Sequence, residues 1–517
     1  MKDGVMLDRR RFLVSSSAVL GGWVSGLLPA IARSEGAERP RNVLFICVDD
    51  LRPQLPCYGK DFMVTPNLDR LAGRGVVFNN HFAQVPTCGA SRCCLLTGMR
   101  PHRPGALNND AFEGLPRTDV GEAISMPQLF RENGYKTVSV GKVSHAPDGR
   151  RAGKPTSRFG PDGKMLVSGP NDGEPELALA WDKVYGPTAA WGDSWSAFFG
   201  YAGGKTRSYG EKKSPPVEAA DVPDTGYPDG LIAEAAIGEL RGLKDGPFFL
   251  SVGFYKPHLP FCAPKKYWDL YDRDAIPLAE HRDPPKGVDK GLSLHRNGEV
   301  TGNYASLKDP REATEEEARR LRHGYFAAVS YVDAQIGKVL DELDRLGLRD
   351  NTIVVVWGDH GWHLGDLHVW GKHTTFEFSL RSTLIVDTPE LPARGVHADG
   401  LVETIDLYPT LAAACGLTAP QGLGGVSLLP VLEDSGHPGK DGAFGYWRKG
   451  SNRAVTLRTA RYRLVEWMDK GGKTLQVELY DHKNDPDETK NVASAHPEVL
   501  RELLPRLHAE TPRLLGN

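Results

Sequence analysis

The feature that most constrains the fold is a set of short, largely apolar runs, two of which are followed by acidic residues. The runs are 42–48 (NVLFICV), 137–140 (TVSV), 248–254 (FFLSVGF) and 352–357 (TIVVVW). Apolar runs without polar alternation are typical of strands buried on both faces of a parallel sheet. Asp49-Asp50 follow the first run and Asp359-His360 follow the last. We therefore predict a buried sheet that presents carboxylates at the carboxyl ends of its strands.

Helical segments separate the apolar runs. Thr65 and Pro66 can start one helix, as N-cap and first helical residue, and Gly75 can end it before a strand at 76–78. Residues 315–346 form a long helical stretch. Strands that alternate with helices predict an α/β fold, with a large doubly wound, mixed or parallel sheet flanked by helices. Ligands of such sheets bind beyond the carboxyl ends of the strands.

The sequence pattern changes near residue 430. Residues 457–467 and 475–480 alternate as half-exposed antiparallel strands do, and a helix is predicted over 497–509. We therefore predict an α/β catalytic domain over 40–430. A small α+β C-terminal subdomain with an antiparallel sheet is predicted over 431–517.

Residues 1–32 have the features of a twin-arginine signal peptide. The segment 9–13 (RRRFL) fits the R-R-x-F-L pattern, and the apolar stretch 14–31 ends in a small-residue cleavage signature at 30–32 (AIA). A retained anchor is the alternative, but the glycines and serines favour cleavage. We predict export by the twin-arginine machinery to the periplasm or the cell exterior, without stable membrane association.

Charge and cysteine usage exclude several classes of protein. The formal net charge of the 517 residues is −3, so no global basic field favours nucleic acid, and any anion site must be local. The seven cysteines show neither paired metal spacing nor a regular disulfide framework. Cys47 and Cys415 lie in apolar segments and are predicted to be buried. Cys88 differs from both.

Segment 88–98 (CGASRCCLLTG) carries the most chemical information. Cys88 is predicted to begin a short helix that Gly98 ends. The N-terminus of a helix stabilises negative charge, and Arg92 falls one turn later on the same face. The segment indicates a local anion site around a potential nucleophile. The alternative is a helix with ordinary structural thiols.

This segment resembles the signature of the type I sulfatases, in which the cysteine is oxidised to formylglycine. Ala90 replaces the usual proline, a variation that some bacterial maturation enzymes are thought to accept. The likeness extends over nearly the whole chain after the signal, within the alkaline phosphatase superfamily. Segments that resemble the iduronate-2-sulfatase branch are 49–53 (DDLRP), 141–145 (GKVSH), 255–261 (YKPHLPF), 359–365 (DHGWHLG) and 478–493 (ELYDHKNDPDETKNVA).

The resemblance implies one bound divalent cation, Ca²⁺. Its ligands would be Asp49, Asp50, Asp359, His360 and residue 88, which is Cys88 before oxidation. A hard cation requires oxygen ligands, and two acidic pairs that each close a buried strand can supply them. Many sulfatases have asparagine where this chain has His360, but histidine occurs in the iduronate-2-sulfatase branch.

The resemblance also implies catalytic roles. A hydrated aldehyde at position 88 would attack the sulfur, with Asp359 helping to activate its hydroxyl. Charge on the sulfuryl oxygens would be neutralised by Arg92, Lys142 and Lys372. His258, with Lys372, would protonate the leaving oxygen, and His145 would be the base for sulfate elimination; the two histidine roles could be exchanged. Three more histidines are either substrate contacts or structural: His363, His368 and His373.

The sequence thus predicts an exported, iduronate-2-sulfatase-like enzyme that hydrolyses a sulfate ester on a carbohydrate. The Gly-, Pro- and Ser-rich region 159–229 and the region 283–314 are predicted to be loops that build the substrate pocket. A formylglycine-generating maturation enzyme would be a transient partner. It would act before export, because oxidation of Cys88 requires an unfolded segment.

Two other functions remain open on the sequence. A phosphodiesterase or phosphonate monoesterase of the same superfamily would share the metal carboxylates and can share formylglycine. A catalytically silent, carbohydrate-binding homologue would have lost a ligand or the key cysteine, and this chain keeps Cys88 and both acidic pairs.

Overall fold

A computed structural model describes residues 40–101, 104–112, 124–151, 173–208, 213–295, 298–305, 309 and 313–510. Its centre is an eight-stranded sheet. The strands are β1 (Asn42–Val48), β2 (Val76–Phe82), β3 (Lys136–Gly141), β4 (Lys183–Tyr185), β5 (Phe248–Phe254), β6 (Thr352–Gly358), β7 (Leu384–Asp387) and β8 (Val396–Glu403). The predicted signal peptide at 1–32 lies outside the described residues.

The spatial order of the strands is β8-β2-β7-β6-β1-β5-β3-β4. β1 pairs in parallel with β5 and β6, and only β7 runs antiparallel to its neighbours β6 and β2. Val48, the last residue of β1, lies opposite Gly358 of β6 and Phe254 of β5. The segments that follow these three strands therefore leave the same edge of the sheet, which confirms the predicted mixed α/β fold.

Helices cover both faces of this sheet. They are α1 (Pro66–Ala72), α2 (Cys88–Thr97), α3 (Met126–Glu132), α4 (Ser194–Phe198), α5 (Pro228–Leu243), α6 (Lys265–Trp268), α7 (Lys290–Ser293), α8 (Gly298–Asn303), α9 (Glu315–Arg345), α10 (Glu377–Leu380), α11 (Leu407–Ala414), α12 (Leu429–Glu433) and α13 (Pro497–Glu510). Val43 and Phe45 of β1 join a hydrophobic cluster with α2, α3 and α11. Leu44 and Ile46 join a second cluster with α5 and α9. Burial of both faces explains the apolar run without alternation.

The helix predicted after Thr65 is present but ends at Ala72, before Gly75. Gly75 has another role, since a Cβ at that position would lie 2.5 Å from the carbonyl oxygen of Val386 in β7. Cys47 is buried as predicted. Cys415 is only partly buried, because it lies just beyond the last turn of α11.

A second, antiparallel sheet follows in the C-terminal part of the chain. Its strands pair in chain order: β9 (Ala443–Lys449), β10 (Asn452–Arg458), β11 (Tyr462–Met468) and β12 (Thr474–Asp481). The prediction of one strand over 457–467 was wrong, because Thr459 and Tyr462 close a hydrogen-bonded turn within that segment. Residues from Pro40 onward form one compact unit. The boundary at residue 430 stays a prediction.

The regions predicted to be loops contain short regular elements. Region 159–229 supplies β4 and α4 among its described residues, and region 283–314 supplies α7 and α8. Short strand pairs join Gly200–Tyr201 to Lys205–Thr206, Val217–Ala220 to Phe261–Pro264, and His363–Leu364 to Trp370–Gly371. Among the described residues, no helix combines the length and apolar character needed to cross a bilayer.

Candidate active site

Two acidic pairs meet at the carboxyl ends of β1 and β6. Asp49 and Asp50 follow β1, Asp359 and His360 follow β6, and all four side chains are fully buried. The amide of Asp50 donates a hydrogen bond to Asp359 Oδ1 at 3.0 Å. The φ angle of Asp50 is 63°, a left-handed conformation that is costly for a residue with a Cβ. The fold therefore brings together the carboxylates that the sequence predicted to be neighbours.

Cys88 lies at the centre of this group. It begins α2, and Gly98 ends that helix in the left-handed conformation, as predicted. Cys88 Sγ is 3.3 Å from Asp49 Oδ1, 3.3 Å from His360 Nε2 and 3.2 Å from Lys372 Nζ. Burial, and then the charge of Asp49, raise the pKa of the Cys88 thiol well above its usual value. As an unmodified thiol, this side chain is protonated and a poor nucleophile.

The same residues form a group that could hold a metal ion. Asp49, Cys88, Asp359 and His360 each offer one ligand atom, and these atoms lie within 4.8 Å of one another. Asp50 Oδ2 is buried and accepts no hydrogen bond from the described residues. A buried carboxylate oxygen without a partner is costly unless a cation or donor meets it. The predominance of carboxylates fits a hard divalent cation.

Two buried cations flank the carboxylates on one side. Arg92 Nε lies 3.0 Å from Asp359 Oδ2, and Arg92 Nη2 lies 3.8 Å from Asp49 Oδ1. The ammonium of Lys142 contacts Asp49 Oδ2. Burial raises the pKa of Asp49, but Lys142 and Arg92 outweigh burial and hold it well below its usual value. The structure therefore brings Arg92 and Lys142 together with the two acidic pairs.

Lys372, His258 and Glu299 form the other side of the group. Lys372 Nζ donates to Asp50 Oδ1 at 2.8 Å, and Glu299 Oε2 lies 3.8 Å from the same ammonium. His258 Nε2 lies 2.9 Å from Glu299 Oε1. Burial, and then the charge of Lys372, lower the pKa of His258 to about 4. The sequence analysis missed Glu299, because it lies in the irregular region 283–314 and belongs to no motif.

His145 lies beside aromatic side chains that extend to the site. It is half-buried, and its ring lies 5.5 Å from that of Trp195. Trp195 packs on Phe198, whose ring contacts His258 at 4.5 Å and Lys142 Nζ at 4.0 Å. An aromatic wall thus connects His145 to the site. Its role as a base stays a prediction.

The three remaining histidines differ in their surroundings. His363 is buried and hydrogen-bonds Thr374 Oγ1 at 3.0 Å, as a structural histidine does. The side chain of His368 is 29% exposed. The ring of His373, the residue after Lys372, stacks on Trp447 of β9 with centroids 5.0 Å apart. Through this contact, His373 links the segment that carries Lys372 to the C-terminal sheet.

A second residue that the sequence analysis missed is Lys256. It is buried, and its ammonium donates to the carbonyl oxygens of His258 and Pro260 at 2.8 and 2.7 Å. These bonds fix the loop that carries His258. The segment YKPHLPF was singled out for its histidine, and a lysine in an otherwise apolar turn was an available signal.

The backbone of Lys142 lies against Gly253, the next-to-last residue of β5, and this close approach can be tested by substitution. A Cβ on Gly253 would lie 2.1 Å from the carbonyl group of Lys142, where backbone must move. We expect Gly253→Ala to lower the free energy of unfolding by about 3 kcal/mol and to displace Lys142. Urea unfolding and hydrolysis rates measure the two effects.

Gly238→Ala is the matched control for this substitution. Gly238 lies in α5, and a Cβ there would meet nothing within 4 Å. We expect this change to stabilise the protein by about 0.5–1 kcal/mol, with unchanged activity. Equal effects of the two substitutions would contradict the close approach of Gly253 to Lys142.

The arrangement defines a class of protein. A central side chain at a helix N-terminus, two acidic pairs and three buried cations can bind an anionic ester and stabilise the charge that develops as it is cleaved. The mixed sheet presents this group at the carboxyl ends of its strands. Together, fold and site are those of a hydrolase that acts on an anionic ester.

Comparisons with known proteins identify the family within this class. The family model described as Sulfatase matches residues 41–417, and that described as N-sulphoglucosamine sulphohydrolase, C-terminal, matches residues 358–513. Mouse iduronate 2-sulfatase is 34% identical over 440 residues, which are 79% of this chain and 74% of the mouse protein.

Two solved structures share the fold. A protein in complex with its substrate, D-glucosamine-2-N,6-O-disulfate, aligns with a TM-score of 0.69 and 21% identity, over 93% of this chain and 99% of that chain. Phosphonate monoester hydrolase of Agrobacterium radiobacter aligns with a TM-score of 0.71 and 23% identity, over 91% of this chain and 96% of that chain.

The chain belongs to the sulfatase family. It is a sulfuric ester hydrolase, as the family and the iduronate 2-sulfatase relatives indicate. Sulfatases generally use formylglycine and a divalent cation, and the group of Asp49, Cys88, Asp359 and His360 offers a fitting set of ligands.

Proposed function

We propose that the protein is an exported carbohydrate sulfatase that acts through formylglycine formed from Cys88 and a bound Ca²⁺. The observation that carries this proposal is the position of Cys88, whose sulfur lies 3.2–3.3 Å from a carboxylate, an imidazole and an ammonium group. Asp49, Asp50, Asp359 and His360, with residue 88, would hold the cation. The orphaned oxygen of Asp50 supports this ligand set.

Two groups supply chemistry that the ordinary side chains lack. As formylglycine, residue 88 offers a hydrated aldehyde with one hydroxyl to attack sulfur and another that lets the aldehyde re-form as sulfate leaves. A cation held by Asp49, Asp50, Asp359 and His360 would supply Lewis-acid chemistry, lowering the pKa of the attacking hydroxyl and binding the sulfate oxygens. Asp359, which already accepts hydrogen bonds from Arg92 and the Asp50 amide, is placed to help activate that hydroxyl.

The chain's own cations and histidines perform the remaining tasks. Charge on the sulfuryl oxygens is neutralised by Arg92, Lys142 and Lys372, each already paired with a carboxylate of the site. His258 and Lys372 protonate the leaving oxygen. Burial lowers the pKa of His258, but its two ring nitrogens face acceptors, Glu299 Oε1 and the carbonyl oxygen of Leu259, and both contacts favour the protonated ring. His145 is the base for sulfate elimination.

Glu299 should raise the pKa of the groups that donate this proton. Its carboxylate faces both His258 and Lys372, and its charge opposes the effect of burial on His258. We expect Glu299→Gln to lower the pKa of the proton donor, because a stabilising negative charge is removed. The alkaline limb of the kcat–pH profile should move to lower pH by about one unit.

Glu316→Gln is the control, because it removes the same charge from an exposed position in the first turn of α9. Its kcat–pH profile should match that of the wild type. An unshifted alkaline limb in Glu299→Gln would exclude His258 and Lys372 as the proton donors whose pKa Glu299 controls.

The substrate we propose is a sulfated polysaccharide or oligosaccharide, by analogy with the iduronate 2-sulfatases. A 2-O-sulfated uronate is the first candidate. Aromatic side chains flank the site on two sides: Trp195 and Phe198 beside Lys142, and the stacked His373 and Trp447 beside Lys372. Such faces suit the CH surfaces of sugar rings.

A phosphonate monoesterase is the second candidate function, because the Agrobacterium radiobacter enzyme shares the fold. A substrate panel separates the two. Protein co-expressed with a formylglycine-generating enzyme is assayed on 4-nitrophenyl sulfate, 2-O-sulfated uronate disaccharides and a phenylphosphonate monoester. We expect kcat/KM for the best sulfate ester to exceed that for the phosphonate by at least about 100-fold. The reverse order would favour the phosphonate monoesterase, and hydrolysis of none would favour a silent binding homologue.

The protein is further proposed to be exported to the periplasm or the cell exterior by the twin-arginine machinery, on the basis of the segment 9–13. That machinery carries folded chains, and α2 with Cys88 is buried in the fold. Maturation would therefore precede export.

A further inference from the structure

A cavity separate from the Cys88 site opens between the C-terminal sheet and the edge of the large sheet. Its volume is about 1360 Å³, and none of the proposed catalytic residues lines it. Its walls come from the segment after β1 (52–62), from Asn79 and Asn80 of β2, from His397 and Asp399 of β8, and from the loops around β12. We call it the basic cavity. A drug-sized ligand occupies about 300–1,000 Å³, so an oligosaccharide segment fits.

The uncompensated charge of the basic cavity is positive. Four of its cationic side chains form no ion pair with any residue in the described part of the chain: Lys60, Arg322, Arg381 and Lys483. Of its five carboxylates, Asp366 pairs with Arg52 and Glu377 with Arg458, whereas the other three have no arginine or lysine ion-pair partner among the described residues: Glu280, Asp399 and Asp487. Seven lysine and arginine side chains thus line the cavity against five carboxylates, an excess of positive charge that favours an anionic ligand.

Two buried guanidinium groups line the cavity. Arg52 and Arg322 are 2% and 3% exposed, and Arg52 Nη1 pairs with Asp366 Oδ2 at 2.7 Å. Arg322 Nη1 donates to the carbonyl oxygen of Leu364, but its buried Nε has no hydrogen-bond partner among the described residues. Burial lowers the pKa of Arg322 to about 10, as expected for a cation with too little counter-charge. An anion in the cavity would supply that charge.

Other features of the same walls suit a sugar better than a free ion. Gln54 Oε1 is buried without a hydrogen-bond partner among the described residues, so it can accept from a hydroxyl group. Tyr58 and Phe62 also line the cavity and provide aromatic surface. Hydroxyl donors, apolar CH faces and anionic substituents occur together in sulfated and uronate sugars.

We propose that the basic cavity binds an anionic saccharide, a sulfated or carboxylated segment of the polymer whose sulfate ester is cleaved at residue 88. The identification with the substrate polymer rests on the proposed carbohydrate sulfatase function. Binding at a second place holds the polymer near the catalytic site and raises its effective concentration there. Long substrates therefore gain an advantage over monosaccharides that bind only at the Cys88 site.

The test measures binding of a heparin-derived hexasaccharide by calorimetry in low salt. The protein is the full chain with Cys88→Ala, which cannot consume the probe through residue 88. Lys60 and Lys483 are both exposed, so the pair Lys60→Ala and Lys483→Ala leaves the buried arginines intact. We expect this pair to weaken hexasaccharide binding about tenfold. In the wild-type background, it should leave kcat/KM for a small sulfate ester unchanged.

The matched control is the pair Lys244→Ala and Lys473→Ala, which removes the same charge from exposed positions that do not line the cavity. Affinity close to that of the parent protein in this control supports a specific site. The proposal is overturned by equal weakening in both pairs, by no weakening in either, or by no binding of the hexasaccharide.

Inorganic sulfate distinguishes a saccharide site from a simple ion site. We expect inorganic sulfate to displace little of the bound hexasaccharide when its concentration equals that of the sulfate groups on the hexasaccharide. Competition as strong as that of the hexasaccharide would overturn the saccharide assignment. Failure of the proposed sulfatase function would be seen separately, as absent hydrolysis of small sulfate esters by the wild type, whatever the state of the basic cavity.

Discussion

Replacing Cys88 with alanine is expected to lower kcat/KM for a sulfate ester by at least about 10⁴-fold. Cys88 contacts Asp49, His360 and Lys372 together, so its loss removes both the proposed nucleophile and a proposed metal ligand. The folded state should survive, because alanine fills the first position of α2 without strain. Hydrolysis of 4-nitrophenyl sulfate and circular dichroism measure the two effects.

Cys93→Ala is the matched control for this loss. Cys93 lies on the same helix, is equally buried and belongs to the hydrophobic cluster rather than to the acidic group. We expect it to retain activity within about threefold, with a small loss of stability. Comparable loss of activity in both variants would mean that α2 is merely sensitive to substitution.

Replacing Asp50 with asparagine is expected to have the second largest effect. Its Oδ2 is buried without a hydrogen-bond partner in the described part of the chain and is our strongest single indication of a cation at this position. We expect Asp50→Asn to lose most of the bound Ca²⁺ and to reduce kcat/KM about 10³-fold, since the ion supplies several kcal/mol of transition-state stabilisation. Metal content and activity are measured on the same purified sample.

Asp245→Asn is the control, because it removes the same charge from an exposed turn after α5. It should keep full metal content and activity. If Asp50→Asn retained both as well, Asp50 would not be a metal ligand and its unpartnered oxygen would need another explanation. Excess Ca²⁺ should restore part of the activity of Asp50→Asn, since the remaining ligands are intact.

The sheet was predictable because strands buried on both faces leave a simple mark in the sequence. Apart from Asn42 and Ser251, residues 42–48 and 248–254 are apolar, and the structure gives β1 and β5 these same bounds. The acidic site was predictable for a related reason. Parallel neighbours end at the same edge, so residues that follow β1 and β6 in sequence also meet in space.

The C-terminal sheet shows where pattern alone fails. Its strands are joined by short turns, and the alternation of residues 457–467 continues through the turn at 459–461. The pattern therefore suggested one strand. Arg463 also departs from the pattern. Its charge indicates exposure, but its side chain is buried and paired with Glu377 and Glu488.

Glu299 and the basic cavity could not be predicted from sequence. Glu299 reaches His258 and Lys372 from a short helix in an irregular region, where neither periodicity nor motif marks it. The cavity is lined by Arg52 and Lys60 from the start of the chain and by Arg322 and Lys483, which lie hundreds of residues later. The packing of α9 on the large sheet brings Arg322 near Arg52, and the turn after the C-terminal sheet adds Lys483.

The central claim is that residue 88 acts as formylglycine, and peptide mass spectrometry tests it most directly. Active protein is digested with trypsin, and the peptide 75–92, which contains Cys88 and Ala90, is weighed. We predict a mass about 18 Da below that of the unmodified peptide, the change expected for covalent conversion of the thiol to an aldehyde. A fully unmodified thiol in protein that still hydrolyses sulfate esters would contradict the claim.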